Sequence, residues 1–159
     1  MTSLWSSVIG GFAGTLVMTT MTRSASEIGL TRMDLPFLLG TAVTDNRRKA
    51  KAIGYCFHFA IGVAFALAYW AVFEAIGWST WWLGACIGAL QALFTGSVLV
   101  NVLLPIAHPR MGTPDTAAND VTLLEPPGFL MLNYGRNAFL VTLLAHIVYG
   151  AIVGWTVRI

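Results

Sequence analysis

The stretch AIGYCFHFAIGVAFALAYWAVF, Ala52–Phe73, runs for 22 residues without an aspartate, glutamate, lysine or arginine. About 20 helical residues cross the hydrocarbon of a bilayer, so a run of this length reads as a spanning helix. Three other stretches have the same character: Leu4–Thr22, Thr80–Leu104 and Asn137–Val157. The 159 residues are 57% hydrophobic and 10% charged, where soluble domains average about 25% charged. The pattern predicts an all-α fold, an integral membrane four-helix bundle. A single transmembrane domain is expected over residues 1–159, with connecting segments at 23–51 and 105–136. Leu4–Thr22 lacks the basic leader and small-residue cleavage site of a signal peptide, so it is read as a membrane helix.

Charge placement orients the threading. Arg23, Arg32, Arg47, Arg48, Lys49 and Lys51 fall between the first two spans, and Arg110 and Arg136 between the last two. Only Arg158 falls on the other side. The positive-inside rule makes the basic face cytoplasmic and turns both termini to the non-cytoplasmic side. Trp5, Trp70, Trp78, Trp81, Trp82 and Trp155 all fall near the opposite ends of the spans, where indole rings prefer the membrane interface. The cluster Arg47–Lys49 with Lys51 is explained by contact with anionic lipid, worth about 1 kcal/mol per residue. No nucleic-acid partner is expected.

The chain reads as two tandem transmembrane hairpins. Gly10 and Gly14 in the first span match Gly84 and Gly88 in the third. Asp34-Leu35-Pro36 and Glu125-Pro126-Pro127 follow, each ahead of an apolar patch, Phe37–Leu39 or Phe129–Met131. The returning spans carry His58 and Gly62, then His146 and Gly150, each pair four residues apart. Two spans per unit make this a parallel pseudo-repeat about an axis along the membrane normal. Gly150 and Gly154 add a strip to the fourth span, and Ala60, Ala64 and Ala68 one to the second. Small residues four apart let helices approach closely in lipid, where hydrophobicity cannot drive association. Such strips serve the bundle itself, a homo-oligomer or docking into a larger membrane complex.

The connecting segments are candidate cavity floors. Leu35–Val43 is an apolar run too short to span, interrupted by Pro36 and Gly40, and is expected at the interface or dipping into the bundle. His108–Gly135 contains Pro109, Pro114, Pro126 and Pro127 and reads as a loop. Backbone of this kind at membrane depth must be covered by protein or water.

His58 and His146 are the leading candidates for chemistry, because an ionisable group inside a span is a functional candidate by default. Facing across a pseudo-axis, the pair suits ligation of a haem b iron. Together with Asp34 and Glu125 it suits a two-histidine, two-carboxylate metal site. The competing reading makes the histidines interhelical hydrogen-bonding groups and the two acids turn residues ahead of proline. His108, before Pro109, is expected at the surface, and Gln91 and Asn101 are expected to bond across helices. Cys56 and Cys86 lie at different depths, more than about 10 Å apart along their helices, and are not expected to pair. No phosphate loop, nucleophile elbow, dinucleotide fingerprint or HExxH motif occurs, so an enzyme is not favoured.

The runs GGFAGTLVMTTM (Gly10–Met21), MDLPFLLG (Met33–Gly40) and HFAIGVAFALAYW (His58–Trp70) resemble a family of small bacterial four-helix inner-membrane proteins with no established activity. The resemblance implies a multi-pass protein of the bacterial inner membrane and no particular chemistry. The functional expectation is a scaffold or accessory subunit. The alternatives are a haem- or metal-binding redox protein using His58 and His146, and a small transporter with a polar cavity near the cytoplasmic side.

Overall fold

A computed structural model describes residues 3–111 and 124–159, which form helices and turns and no strand. Pro114, expected in the second connecting loop, lies outside the described residues. Four helices are long and apolar enough to cross a membrane: Ser3–Glu27, Arg47–Ile76, Trp81–Ala107 and Ala138–Thr156. The first is α1, the second α3 and the last α6. The third comprises α4 (Trp81–Phe94), a π-helical stretch (Thr95–Leu103) and α5 (Leu104–Ala107). Between α1 and α3 lies the short α2 (Leu35–Thr41), and a 3₁₀ segment, Phe129–Tyr134, precedes α6.

Local chemistry sets the boundaries. Asn46 accepts from the Lys49 N–H and starts α3 at Arg47, satisfying an amide that a helix start leaves orphaned. The basic cluster, expected in the connecting segment, is therefore the first turn of α3. Gly77 ends that helix in a left-handed conformation, φ 78°, with its N–H on the Phe73 carbonyl, a geometry that glycine adopts without Cβ strain. Thr80 then caps α4.

The third long helix continues past its expected end at Leu104. Pro105 lacks an N–H, and its ring crowds the carbonyl four residues back. The preceding stretch is wound as a π-helix, and the Leu104 N–H bonds the carbonyl of Leu99, five residues back.

The helices stand in the order α3, α1, α6, α4, with α2 against the start of α3. α1 packs along both α3 and α6, and α4 along α6, whereas α3 and α4 do not pack along each other. One side-chain bond spans that gap, from Tyr69 OH to Gln91 Oε1 at 2.6 Å. The main core, with Met18, Ala66, Phe73, Tyr149 and Val153, fills the space among α1, α3 and α6.

Closest approach is at glycine. A Cβ on Gly84 would meet the Gly150 carbonyl carbon at 2.9 Å and strike its oxygen, and one on Gly150 would strike the Gly84 carbonyl. Gly88 lies against the His146 carbonyl, Gly154 against Thr80, Gly10 against Thr156 and Gly14 against Tyr149. The six glycines singled out in the sequence therefore all touch another helix or its cap within this chain.

The outer surface is apolar, with Leu90 65% and Ile106 80% exposed. The tryptophans gather at one end. There Trp70 Nε1 donates to Ser3 Oγ and to Glu74, and Ser79 Oγ donates to the Val157 carbonyl. All lysines and arginines except Arg158 lie toward the other end.

Candidate functional site

The gap between α3 and α4 opens into a cavity of about 100 Å³ in the basic half of the bundle. Its walls are His58, Ile61 and Phe65 from α3, Gln91, Thr95 and Leu99 from the third long helix, and Thr142, His146 and Tyr149 from α6. Met18 and Thr22 of α1 close one side, and Met33, Leu35, Pro36 and Met131 form the floor. None of its lining residues is an aspartate, glutamate, lysine or arginine.

The structure brings His58 and His146 to this one cavity. His146 is 7% exposed, and its Nδ1 lies 2.8 Å from the Thr142 carbonyl. A carbonyl only accepts, so Nδ1 carries a proton, and in the neutral ring the lone pair is then on Nε2. His58 is 6% exposed and makes no side-chain hydrogen bond with another described residue. Its ring lies edge-on to that of Phe59 at 6.4 Å.

Asp34 and Glu125 are engaged elsewhere. Asp34 accepts from the Phe37 N–H as the cap of α2 and pairs with Lys51 at 3.7 Å. Glu125 pairs with Arg32 at 3.4 Å. Among the described residues, no three histidine, cysteine or acidic side chains gather closely enough to hold a metal. Cys56 and Cys86 are both free and exposed. Pockets for drug-sized ligands run to roughly 300–1,000 Å³. The cavity, at about 100 Å³, is smaller than this.

Three features of the site carried no signal in the sequence reading. Tyr149 walls the cavity toward the tryptophan end, with Tyr69 edge-on to it at 5.8 Å, and the Tyr149 OH donates to the Gly62 carbonyl across to α3. The π-helical stretch supplies Thr95 and Leu99 to the lining. Met131 reaches the cavity from the 3₁₀ segment, whose Leu130 and Met131 hold φ of 52° and 59°. Residues with side chains rarely hold that left-handed region, and such strain gathers at functional sites. Met131 is 1% exposed, and its Sδ accepts from Thr142 Oγ1 at 3.3 Å.

The floor is a latched assembly. α2 packs so closely on α3 that a Cβ on Gly40 or Gly54 would collide with the carbonyl of Ala50 or Pro36. His108, expected at the surface, is 4% exposed. Its Nε2 donates to the Leu38 carbonyl at 3.0 Å, and its Nδ1 accepts from the Arg110 N–H at 3.2 Å. The docking of α2 over the end of α5 is what buries it. Met111 and Leu124 pair across the ends of the second connecting segment. Arg32 then ties the two floor segments together through Glu125 and the Asn133 carbonyl. Tyr134 OH donates to the Glu125 carbonyl, and burial, followed by the nearby Glu125 charge, raises the Tyr134 phenol above its ordinary value.

A second, wider hollow of about 230 Å³ lies beside the cavity, toward the basic end. Thr22, Met33, Leu35 and Pro36 line both spaces. The hollow is polar and internally paired: Arg23 bonds Glu27 and Tyr55, and Lys51 faces Asp34. Gln91 accepts from Tyr69 across the helices, as expected, whereas Asn101 makes no side-chain bond with another described residue.

No protein-family model matches the chain, and neither the curated proteins nor the solved structures provide a match.

Proposed function

We propose that the chain is a four-span membrane protein that holds a small solute at His58 and His146, within the bilayer, and exchanges it with the cytoplasmic side. Supporting this is the cavity itself: two nine-tenths-buried histidines face one uncharged chamber, and a polar hollow adjoins it at the basic end. Ionisable groups are expensive at membrane depth and mark solute pathways when they line a cavity. The positive-inside rule puts the hollow in the cytoplasm and both termini outside.

The scaffold reading drew on small-residue strips free to receive a partner. The six glycines that define them are covered within the chain, which favours the solute-binding reading. A duplication origin is supported by matched contacts rather than by the glycine pairs first aligned. Gly62 packs on Thr15 of α1, and Gly150 packs on Gly84 and Gly88 of α4. The face of α1 that corresponds to Gly84 and Gly88 is thus Gly11 and Thr15, one residue along from Gly10 and Gly14.

Accessibility of the chamber tests the proposal. In a chain with Cys56 and Cys86 replaced by serine, Thr142→Cys is placed on the cavity wall and Leu90→Cys on the outer surface. A small, charged thiol reagent added to inverted membrane vesicles is expected to modify Thr142→Cys and leave Leu90→Cys untouched. A Thr142→Cys thiol that stays unmodified from both sides means a dry, closed bundle and removes the proposal.

A further inference from the structure

The chamber offers an unusual donor set, and the geometry points to a site for a soft monovalent metal ion, copper(I), held by His58, His146 and the thioether of Met131. This rests on the solute-chamber reading above and names the solute.

Three observations converge on it. First, His146 is oriented as metal-bound histidines are. Such rings almost always donate the non-ligating N–H to a carbonyl or carboxylate, which fixes the tautomer and turns the other nitrogen to the metal. Here the Thr142 carbonyl takes the Nδ1 proton at 2.8 Å, leaving Nε2 for a ligand. Second, His58 is buried on the same cavity with both ring nitrogens unbonded by any described residue. Among the described residues no fully buried side-chain nitrogen or oxygen lacks a partner, so these nitrogens open onto the cavity and are free to take a ligand. Third, Met131 is carried into the cavity on a left-handed backbone, against the preference of its residue type. Its sulfur meets the hydroxyl of Thr142, the same residue whose carbonyl orients His146. Thr142 therefore holds two of the three donors in place.

The donor set selects the ion. Imidazole and thioether are the ligands that favour copper(I), whereas calcium, magnesium and manganese require oxygen donors. Charge balance points the same way. No acidic side chain lines the cavity, so nothing neutralises an ion brought there. The cost of an uncompensated charge in a low-dielectric interior rises steeply with its magnitude, which favours one positive charge over two. The size agrees, since about 100 Å³ suits a bare ion and its ligating groups. Met18 and Met33 also line the chamber, and their flexible thioethers are placed to receive the ion as it moves toward the polar hollow.

The test uses full-length protein in detergent, with Cys56 and Cys86 replaced by serine so that the exposed thiols do not compete. Silver(I) serves as a redox-inert probe, alongside copper(I) supplied from a chromophoric chelator without oxygen. The expected result is one equivalent of either ion per chain, with X-ray absorption showing two nitrogen ligands and at least one sulfur. His146→Gln and His58→Gln each remove a ligand and should weaken binding by more than the roughly tenfold to hundredfold that loss of a mere supporting partner costs. Met131→Leu, which keeps the volume, should weaken it and remove a sulfur from the absorption spectrum, with the thermal transition retained. Zinc(II) should not compete at equal concentration. Stoichiometry indifferent to His146→Gln and Met131→Leu, a spectrum without sulfur, or preferential zinc binding would overturn the assignment. If no metal binds while Thr142→Cys remains accessible, the copper(I) assignment fails and the solute-chamber reading survives. If Thr142→Cys is inaccessible, the chamber reading fails first.

Discussion

Replacing Gly84 by alanine adds a single methyl group where α4 meets α6, and the outcome follows from the geometry. The new Cβ would lie 2.9 Å from the Gly150 carbonyl carbon and 2.9 Å from the Gly154 Cα, and closer still to the Gly150 oxygen. Ordinary contact for such carbons begins near 3.4 Å. All three obstructing atoms are backbone, so no rotamer change relieves them, and the helices must separate by about an ångström. Dispersion weakens quickly on that scale: a radial gap of about 0.5–1 Å forfeits a quarter to a half of each contact. Overpacking of this kind costs about 1–3 kcal/mol, which corresponds to roughly 2–12 °C in thermal midpoint for a chain of this size. Gly150→Ala should cost a similar amount, because its Cβ would meet the Gly84 carbonyl carbon at 2.8 Å. The double variant should cost less than the sum, since the first methyl already parts the helices for the second. The assay is thermal unfolding in a mild detergent, with the exposed Leu90→Ala on the same helix as a control expected within about 0.5 kcal/mol of the parent. Singles as stable as that control, or a double variant that is strictly additive, would show that the Gly84–Gly150 approach does not hold α4 to α6.

Two further outcomes concern the polar groups around the chamber. His108→Ala leaves the Arg110 N–H without its partner and removes one of two donors to the Leu38 carbonyl, which keeps the Thr41 hydroxyl, at a cost of about 1–3 kcal/mol in all. Hydrogen exchange should quicken at the amides of α2 and not in α6, and uniform exchange would deny the latch. Tyr69→Phe removes the only side-chain bond across the α3–α4 gap among the described residues. Interhelical bonds of this kind average about 0.6 kcal/mol in membrane proteins, so thermal unfolding should shift by only a few degrees, and a loss of more than about 2 kcal/mol would mean that Tyr69 carries more than this bond.

The long helices were legible because span length is set by bilayer thickness, and an uninterrupted apolar run such as Ala52–Phe73 has few other uses. His58 and His146 were legible for the same reason, as polar groups where none is needed. What stayed hidden depends on contacts distant in sequence. The third span was expected to end at Leu104, whereas the helix runs on through Pro105 to Ala107, behind a π-helical stretch. His108 was read as a surface residue next to a proline, and only the docking of α2 buries it. Asp34 and Glu125 each precede a proline, yet local chemistry claims each of them: the α2 cap and Lys51 for one, Arg32 for the other. The left-handed pair Leu130–Met131 has no sequence signal, since neither residue type favours that conformation. Gly10 and Gly14 were matched to Gly84 and Gly88 by motif alone. Side-chain contact shows that α1 carries two small faces, one turned to α6 and one to α3.

The departures from regular helix share a location. Toward the tryptophan end, α4 and α6 meet glycine to glycine at Gly84, Gly88, Gly150 and Gly154. Four residues past the helical continuation of that strip, at Gly96, the neighbour becomes the Phe139 ring, at 3.0 Å from where a Cβ would lie. An aromatic ring in place of a glycine widens the spacing, and at this level the π-helical winding begins at Thr95. The left-handed Met131 enters from below, beside Thr142. Strain and irregularity arising from incidental sequence drift would be scattered along the bundle. Here both unusual backbone features contribute lining residues to the one chamber that His58 and His146 also line. A sequence keeps local rules where only packing matters and departs from them where a site must be shaped. The regular half of the bundle thus supplies the clamp, and the irregular half the space that His58, His146 and Met131 line.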